Sequence, residues 1–248
     1  MLGRLISGLF PRLTAGEGKS LPGAARPHLE NPLAEYFFGN PGRLIEKWHH
    51  YFDIYHRHFA RFRAHSPVVV EIGVAHGGSL QMWHHYFGPG TRVVGVDIDP
   101  RCRRFEDEAT TILIGDQGDR RFLAEVRGAV QRVDILIDDG GHTMGQQITT
   151  FEELYPHVQL DGIYLCEDLH TSLMPEYGGG YRREGTFLEY SKALVDRLHG
   201  WYSRDHAVLT ADEFTQATYA LHFYDSILVI EKGPKALPEL SATGTPSF

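Results

Sequence analysis

Two stretches of the chain carry the residue types best suited to chemistry. Asp138, Asp139, Gly140, Gly141 and His142 follow the apolar run 133–137, and Glu167, Asp168, Leu169 and His170 follow the apolar run 162–166. A short run of β-branched and other apolar residues that stops at carboxylates reads as a buried parallel strand opening at its carboxyl end. Side by side, two such strands would gather four carboxylates and two histidines in one cleft. Like charges that close are unfavourable unless a cation or protons neutralise them. The pattern therefore points to a divalent cation with a histidine base beside it. The competing reading is that the same acids cap helices and solvate loop tips. Neighbouring strand residues face opposite sides, so Asp138 and Asp139 are not expected on one ion.

A second set of polar residues lies upstream. Glu71-x-Gly73-x-x-x-Gly77-Gly78 follows the run 68–70. It is not the GxGxxG turn of dinucleotide folds, and its acid disfavours a pyrophosphate and favours a cationic ligand. Gly73 and Gly77 would let the backbone come close to that ligand. Asp97 ends the next apolar run, where it could accept both hydroxyls of a ribose. Asp116 follows the run 110–114, where it could accept from an adenine amine. A ligand with adenosine at one end and positive charge at the other is S-adenosylmethionine. Singly, each acid reads equally well as a cap or turn residue; their order at successive strand ends carries the signal. Ser79, Gln117 and Asp138 complete the expected cofactor set.

These residues need a scaffold that brings strand ends together. Strands are expected at 68–73, 92–98, 110–114, 133–139 and 162–168. Helical apolar spacing separates them, for example Phe122, Val126 and Val130, then Ile148, Phe151, Leu154, Tyr155 and Val158. A further helix carries Phe187, Tyr190, Leu194 and Leu198, with Gly200 at its end. Two last strands, 217–223 and 226–231, meet at a tight hairpin near Asp225. Alternating strand and helix that finish this way describe a doubly wound α/β sheet with an antiparallel last strand. Upstream, Leu44, Ile45, Trp48, Tyr51, Phe52, Tyr55, Phe59 and Phe62 recur at steps of three and four, which predicts one helix over 43–63 packed on the domain as a cap. His56 and His58 on that helix cannot chelate one ion together, because residues two apart face away from each other. The organisation expected is a flexible N-terminus (1–30), a helical cap (31–65), one ligand-binding domain (66–234) and a flexible tail (235–248).

Bulk properties narrow the class. The 248 residues are 42% apolar and 23% charged, ordinary for a globular protein. A formal charge of −8 argues against nucleic acid as partner. Two distant cysteines without a CxxC pattern fit a reducing, cytoplasmic setting. No run reaches the ~18 to 20 apolar residues of a membrane span.

The segments EIGVAHGGS, VDIDP, IGD, IDDGGH and EDLHTS, preceded by Lys47-Trp48-x-His50-Tyr51, resemble the metal-dependent class I methyltransferases that act on sugar hydroxyls of macrolide antibiotics. The resemblance spans about residues 44–233 and points to the mycinamicin and macrocin O-methyltransferases. It implies a Rossmann-like seven-stranded sheet, with Asp139, Glu167 and Asp168 as metal ligands and His142 as general base. All-oxygen ligands suit Mg2+, and Mn2+ or Ca2+ would use the same set. Three carboxylates leave positions for two vicinal hydroxyls and a water, so the expected acceptor is a glycoside or polyol. His170, Tyr177 and Tyr181 are candidates to touch it. Tyr177 and Tyr181 flank Gly178–Gly180 in a loop, 171–184, that reads as a lid. A homo-oligomer stays open. Two other readings compete. One is an accessory protein of the cephalosporin hydroxylase-like kind, against which stands the lack of a visible two-histidine, one-carboxylate iron set. The other is a binding module without turnover.

Overall fold

The computed structural model describes residues 31–248; the expectations for residues 1–30 lie outside the described residues. The β-branched runs pair into one seven-stranded sheet of order β3-β2-β1-β4-β5-β7-β6. Its strands are β1 (Val68–Ile72), β2 (Arg92–Asp97), β3 (Thr110–Ile114), β4 (Ile135–Asp138), β5 (Ile163–Cys166), β6 (Thr218–Phe223) and β7 (Leu228–Lys232). β1 to β5 are parallel, while β7 runs against both β5 and β6. This is the doubly wound sheet with the antiparallel final strand that the sequence predicts. The strand order reverses between β1 and β4. Ligands of such sheets bind outside the carboxyl ends at that switch point.

Side-chain alternation sorts the core onto two faces. Val69, Ile135, Ile137, Ile163, Leu165 and Val229 face helices α1 (Pro32–Phe38), α2 (Tyr51–Phe59) and α3 (Gly78–Phe87). Val70, Ile72, Leu136, Tyr164, Cys166 and Ile230 face α4 (Arg120–Ala129), α5 (Met144–Leu154) and α6 (Phe187–Leu198). A short helix, α7 (Glu213–Ala217), precedes β6, and residues 233–248 contain no helix or strand.

The cap differs from the single helix expected over 43–63. α1 starts at an Asn-Pro pair, where the Asn31 side chain accepts from the Leu33 and Ala34 amides. Residues 40–50 then form no regular helix, and α2 begins only at Tyr51. The backbone of this segment is engaged elsewhere: Arg43 N donates to Gln81 Oε1 at 3.1 Å, and the Arg43 carbonyl accepts from Asn40 Nδ2 at 2.8 Å. Its carbonyls also lie against Gly78, where a Cβ would run into the Leu44 oxygen. The apolar spacing over 43–50 is thus a peptide laid across the start of α3. At the far end, His199 caps α6, and Gly200 follows it just past the helix end, as expected, and also opens a short 3₁₀ turn.

Gly73 shows how tightly the switch point is built. Its φ is +93°, and a Cβ there would collide with the Asp139 carbonyl oxygen. A left-handed backbone alone costs an L-residue roughly 1–2 kcal/mol. Gly73→Ala is therefore expected to lower the unfolding free energy by at least ~2 kcal/mol, read by denaturant titration. An unchanged midpoint would mean that the ends of β1 and β4 do not approach as described.

Candidate functional site

The two acidic turns meet at the carboxyl ends of β4 and β5. Asp139 N donates to Ile72 O and Glu167 N to Asp138 O, each at 2.9 Å, so the turns continue the sheet's own ladder. His142 and Asp168 both take left-handed backbone, each with φ of +57°. Strain of this kind persists where the surroundings over-determine it, and it clusters at ligand sites. Here the surroundings are a latch: Thr171 Oγ1 donates to the His142 carbonyl at 3.1 Å and to the Asp168 carbonyl at 2.8 Å. Gln147 of α5 donates to the Glu167 carbonyl at 3.0 Å. Downstream, Thr143 and Gln146 form a capping box that starts α5.

The side chains then divide. Donor atoms of Asp139, His142 and Asp168 lie within 4.8 Å of one another. His142 Nε2 is 3.6 Å from Asp168 Oδ2 and 3.8 Å from Asp139 Oδ1. His142 Nδ1 is buried and has no hydrogen-bond partner. Glu167, expected with these residues, turns instead toward the cap. Its Oε1 accepts from Tyr55 OH at 2.6 Å, and its Oε2 accepts from Lys47 Nζ at 2.8 Å. Lys47 also pairs with Asp139 Oδ2, and Tyr51 OH donates to Asp168 Oδ1 at 2.6 Å. Tyr51 and Tyr55 sit one turn apart on one face of α2, so one helix grips both acids of the second turn.

Lys47 is the residue of this cluster that sequence reasoning missed. Its ammonium is fully buried between two carboxylates. Burial alone would lower its pKa, but Asp139, Glu167 and Glu71 outweigh that and raise it. Burial, reinforced by Asp139, lifts the Glu167 carboxyl well above its ordinary range, against the pull of Lys47. Asp139 and Glu167 thus share one buried lysine, while Asp168 is held by Tyr51. The available signal was Lys47's place in the Lys-Trp-x-His-Tyr stretch, four residues before Tyr51.

The expected cofactor residues also divide. Gly73 and Asp97 stand at the switch point. Asp97 Oδ2 accepts from the Val74 and Ala75 amides at 2.8 and 3.0 Å, and Oδ1 accepts from Asp99 N at 2.8 Å, which fixes the loop after β1. Gly77, with φ of +69°, abuts the Phe105 ring. Asp116 is exposed and closes a turn onto Gly118 N at 2.7 Å. Glu71 and Ser79 face the interior rather than the crevice. Glu71 is wholly buried and accepts from Ser79 Oγ at 2.8 Å and Trp83 Nε1 at 3.1 Å; burial pushes its pKa up to about 7. Gln117 bridges Asp138 Oδ1 at 3.0 Å and Gly141 N at 2.7 Å. Asp138 is buried on the α5 side, with its pKa pushed up to about 7 by burial, so it does face away from Asp139. Glu71, Ser79, Gln117 and Asp138 thus brace the site from within.

Of the acceptor candidates, His170 contacts the Ser226 hydroxyl and lies 4.0 Å from Asp168 Oδ1, at the edge of the same cluster. Tyr177 packs against the core, and Tyr181 is 80% exposed. The loop that holds them is built of 3₁₀ turns, 169–173 and 175–177, closed by Gly180 N donating to Ser172 O at 2.8 Å.

Comparison with known proteins agrees with this architecture. Residues 70–169 match a family described as a methyltransferase domain. Over 230 residues the chain is 36% identical to an 8-demethyl-8-alpha-L-rhamnosyl tetracenomycin-C 2'-O-methyltransferase of Streptomyces olivaceus, covering 89% of this chain and 57% of that protein. It is 34% identical over 229 residues to the demethylmacrocin O-methyltransferase of Streptomyces fradiae, covering 85% and 54%. Among solved structures it superposes on the MycE methyltransferase of the mycinamycin biosynthetic pathway, in complex with Mg and SAH, with a TM-score of 0.73 and 30% identity over 82% of this chain and 54% of that one. The chain spans little more than half the length of these relatives.

Proposed function

The chain has the class I methyltransferase fold and is a relative of natural-product sugar O-methyltransferases, and from that premise we propose that it transfers a methyl group from S-adenosylmethionine to a hydroxyl of a glycosylated or polyhydroxylated natural product, with Mg2+ bound. One observation carries this reading: Asp139, His142 and Asp168 converge where β4 and β5 end, next to the switch point and Gly73, with a buried imidazole nitrogen left unpartnered. An acid cluster with a single lysine fits a divalent cation, because more negative charge converges there than Lys47 alone balances.

In this reading the adenosine end of the methyl donor lies over Gly73, with Asp97 toward the ribose. Asp139 and Asp168 would hold the cation, and Glu167 is the further carboxylate that could serve it, its Oε2 being paired with Lys47. A bound divalent cation lowers the pKa of a coordinated hydroxyl. His142 would take the hydroxyl proton, and the nearby carboxylates of Asp168 and Asp139 would stabilise the imidazolium that results. The acceptor oxygen then bonds to the methyl carbon as the carbon–sulfur bond breaks, leaving a neutral thioether. Tyr51 and Tyr55 keep Asp168 and Glu167 in place, and Thr171 holds His142. Fixed placement of this kind contributes on the order of 7 to 11 kcal/mol at best.

Asp97→Ala tests the cofactor half of the proposal. The variant loses charge-assisted hydrogen bonds worth ~1.5 to 3 kcal/mol. Calorimetry is expected to show S-adenosylhomocysteine binding weakened more than tenfold. Wild-type affinity in that variant would remove Asp97 from the cofactor site. Turnover, measured beside binding, separates an enzyme from a module that only holds the ligand.

A further inference from the structure

A second donor cluster lies away from the crevice. His58 of α2, His222 of β6 and Glu231 of β7 bring their donor atoms within 4.8 Å of one another. His58 Nδ1 and His222 Nε2 each lie 3.0 Å from Glu231 Oε1. The fold explains the meeting. Glu231 pairs with Ala220 and His222 with Val229, so Glu231 and His222 are diagonal neighbours on one face of the hairpin. That is the face of Val229, the one α2 covers. Glu231 pairs with Ile163 at the start of β5, whereas Glu167 follows the end of β5. The two sites are thus separated by the length of a strand, roughly 10 Å. The sequence showed no two-histidine, one-carboxylate set; the structure assembles one from three elements.

We propose that His58, His222 and Glu231 form a binding site for one Zn2+ ion per chain, which clamps the helical cap to the terminal hairpin. Two imidazoles and one carboxylate, with a water in the fourth position, are a zinc donor set, and nitrogen donors disfavour Mg2+. His222 Nε2 is buried and lies close to Glu231 without the alignment of a hydrogen bond. A nitrogen so placed, off the axis to the oxygen, suits an ion that both atoms share. The outer partner is present as well. His58 Nε2 lies 2.9 Å from Tyr224 OH, and that contact leaves Nδ1 to face the cluster. The side chain of His58 is 3% exposed, while those of Glu231 and His222 are 25% and 35% exposed, so the site has a dry floor and a face open to water.

The placement gives the ion a role. Tyr51, Tyr55 and His58 follow the i, i+4, i+7 rule on one face of α2. Tyr51 and Tyr55 hold Asp168 and Glu167, so a clamp at His58 steadies the helix that grips the catalytic acids. No turnover is assigned to the clamp itself.

The test uses the full chain, stripped with chelator and dialysed against Zn2+ in excess Mg2+. Mass spectrometry of the metal content is expected to find one zinc per wild-type chain and none in His222→Ala or Glu231→Gln. His142→Ala, a change in the other cluster, is expected to keep its zinc. Zinc at about a hundred times its Kd should raise the wild-type unfolding midpoint by about 5 to 10 °C and leave that of His222→Ala unmoved. Co2+ in place of zinc should give the visible bands of a four-coordinate ion in wild type alone. A wild-type chain without zinc overturns the proposal. So does zinc retained in both His222→Ala and Glu231→Gln, which would place the ion elsewhere.

Discussion

His142→Ala is expected to lower methyl transfer by ~10²- to 10⁴-fold, the span of a lost general base, while S-adenosylhomocysteine binds as in wild type. The imidazole is buried, its Nδ1 has no partner within the protein, and its Nε2 faces two carboxylates. A structural histidine in such a place would use both nitrogens. The loop does not depend on the ring, because Thr171 holds the His142 backbone through its carbonyl. The alanine variant should therefore fold, bind the methyl donor and fail at proton removal. Turnover under saturating acceptor, set beside calorimetry of the cofactor product, separates these steps. Full turnover in the variant would make His142 a structural residue.

The second large effect is on stability. Lys47→Met is expected to destabilise the metal-free protein by ~3–5 kcal/mol, the usual cost of removing one partner from a buried ion pair. Lys47 faces both Asp139 and Glu167, and its loss leaves those carboxylates without a cation. Magnesium should restore much of that loss in Lys47→Met and add less to wild type, since in wild type the ion competes with the ammonium for the same oxygens. Denaturant unfolding in chelator and in Mg2+ gives both numbers. Equal stability of variant and wild type in chelator would mean that the acids take up protons in place of Lys47. Equal effects of Mg2+ on the two proteins would mean that the cation does not share the lysine's site.

The legible parts of the molecule were those encoded by local pattern. Runs such as 110–114 and 187–198 became strand and helix because period and composition agree over the whole element. The meeting of Asp139, His142 and Asp168 followed from strands that end in acids, since parallel pairing of β4 with β5 puts both turns at one edge. What stayed hidden depends on distant partners. Lys47 reaches Asp139 and Glu167 across 92 and 120 residues, and no local spacing marks that contact. The zinc cluster joins residues 58 and 231, 173 apart. Glu71 reads as a ligand acid from its place at a strand end, yet Ser79 and Trp83 of the following helix take both its oxygens. The cap misled for a related reason: apolar residues at helical steps also suit an extended peptide lying across another helix, as Leu44 and Ile45 do over Gly78.

The central claim is a cation-dependent methyl transfer to a sugar hydroxyl, and its most direct test is transfer of label from methyl-labelled S-adenosylmethionine to rhamnosyl and other deoxysugar glycosides. The predicted result is a labelled methyl ether on one hydroxyl of a vicinal pair, formed with Mg2+, abolished by chelator and restored when Mg2+ is returned. Label transferred at an undiminished rate in chelator, or no transfer to any glycoside bearing a vicinal diol, would contradict it.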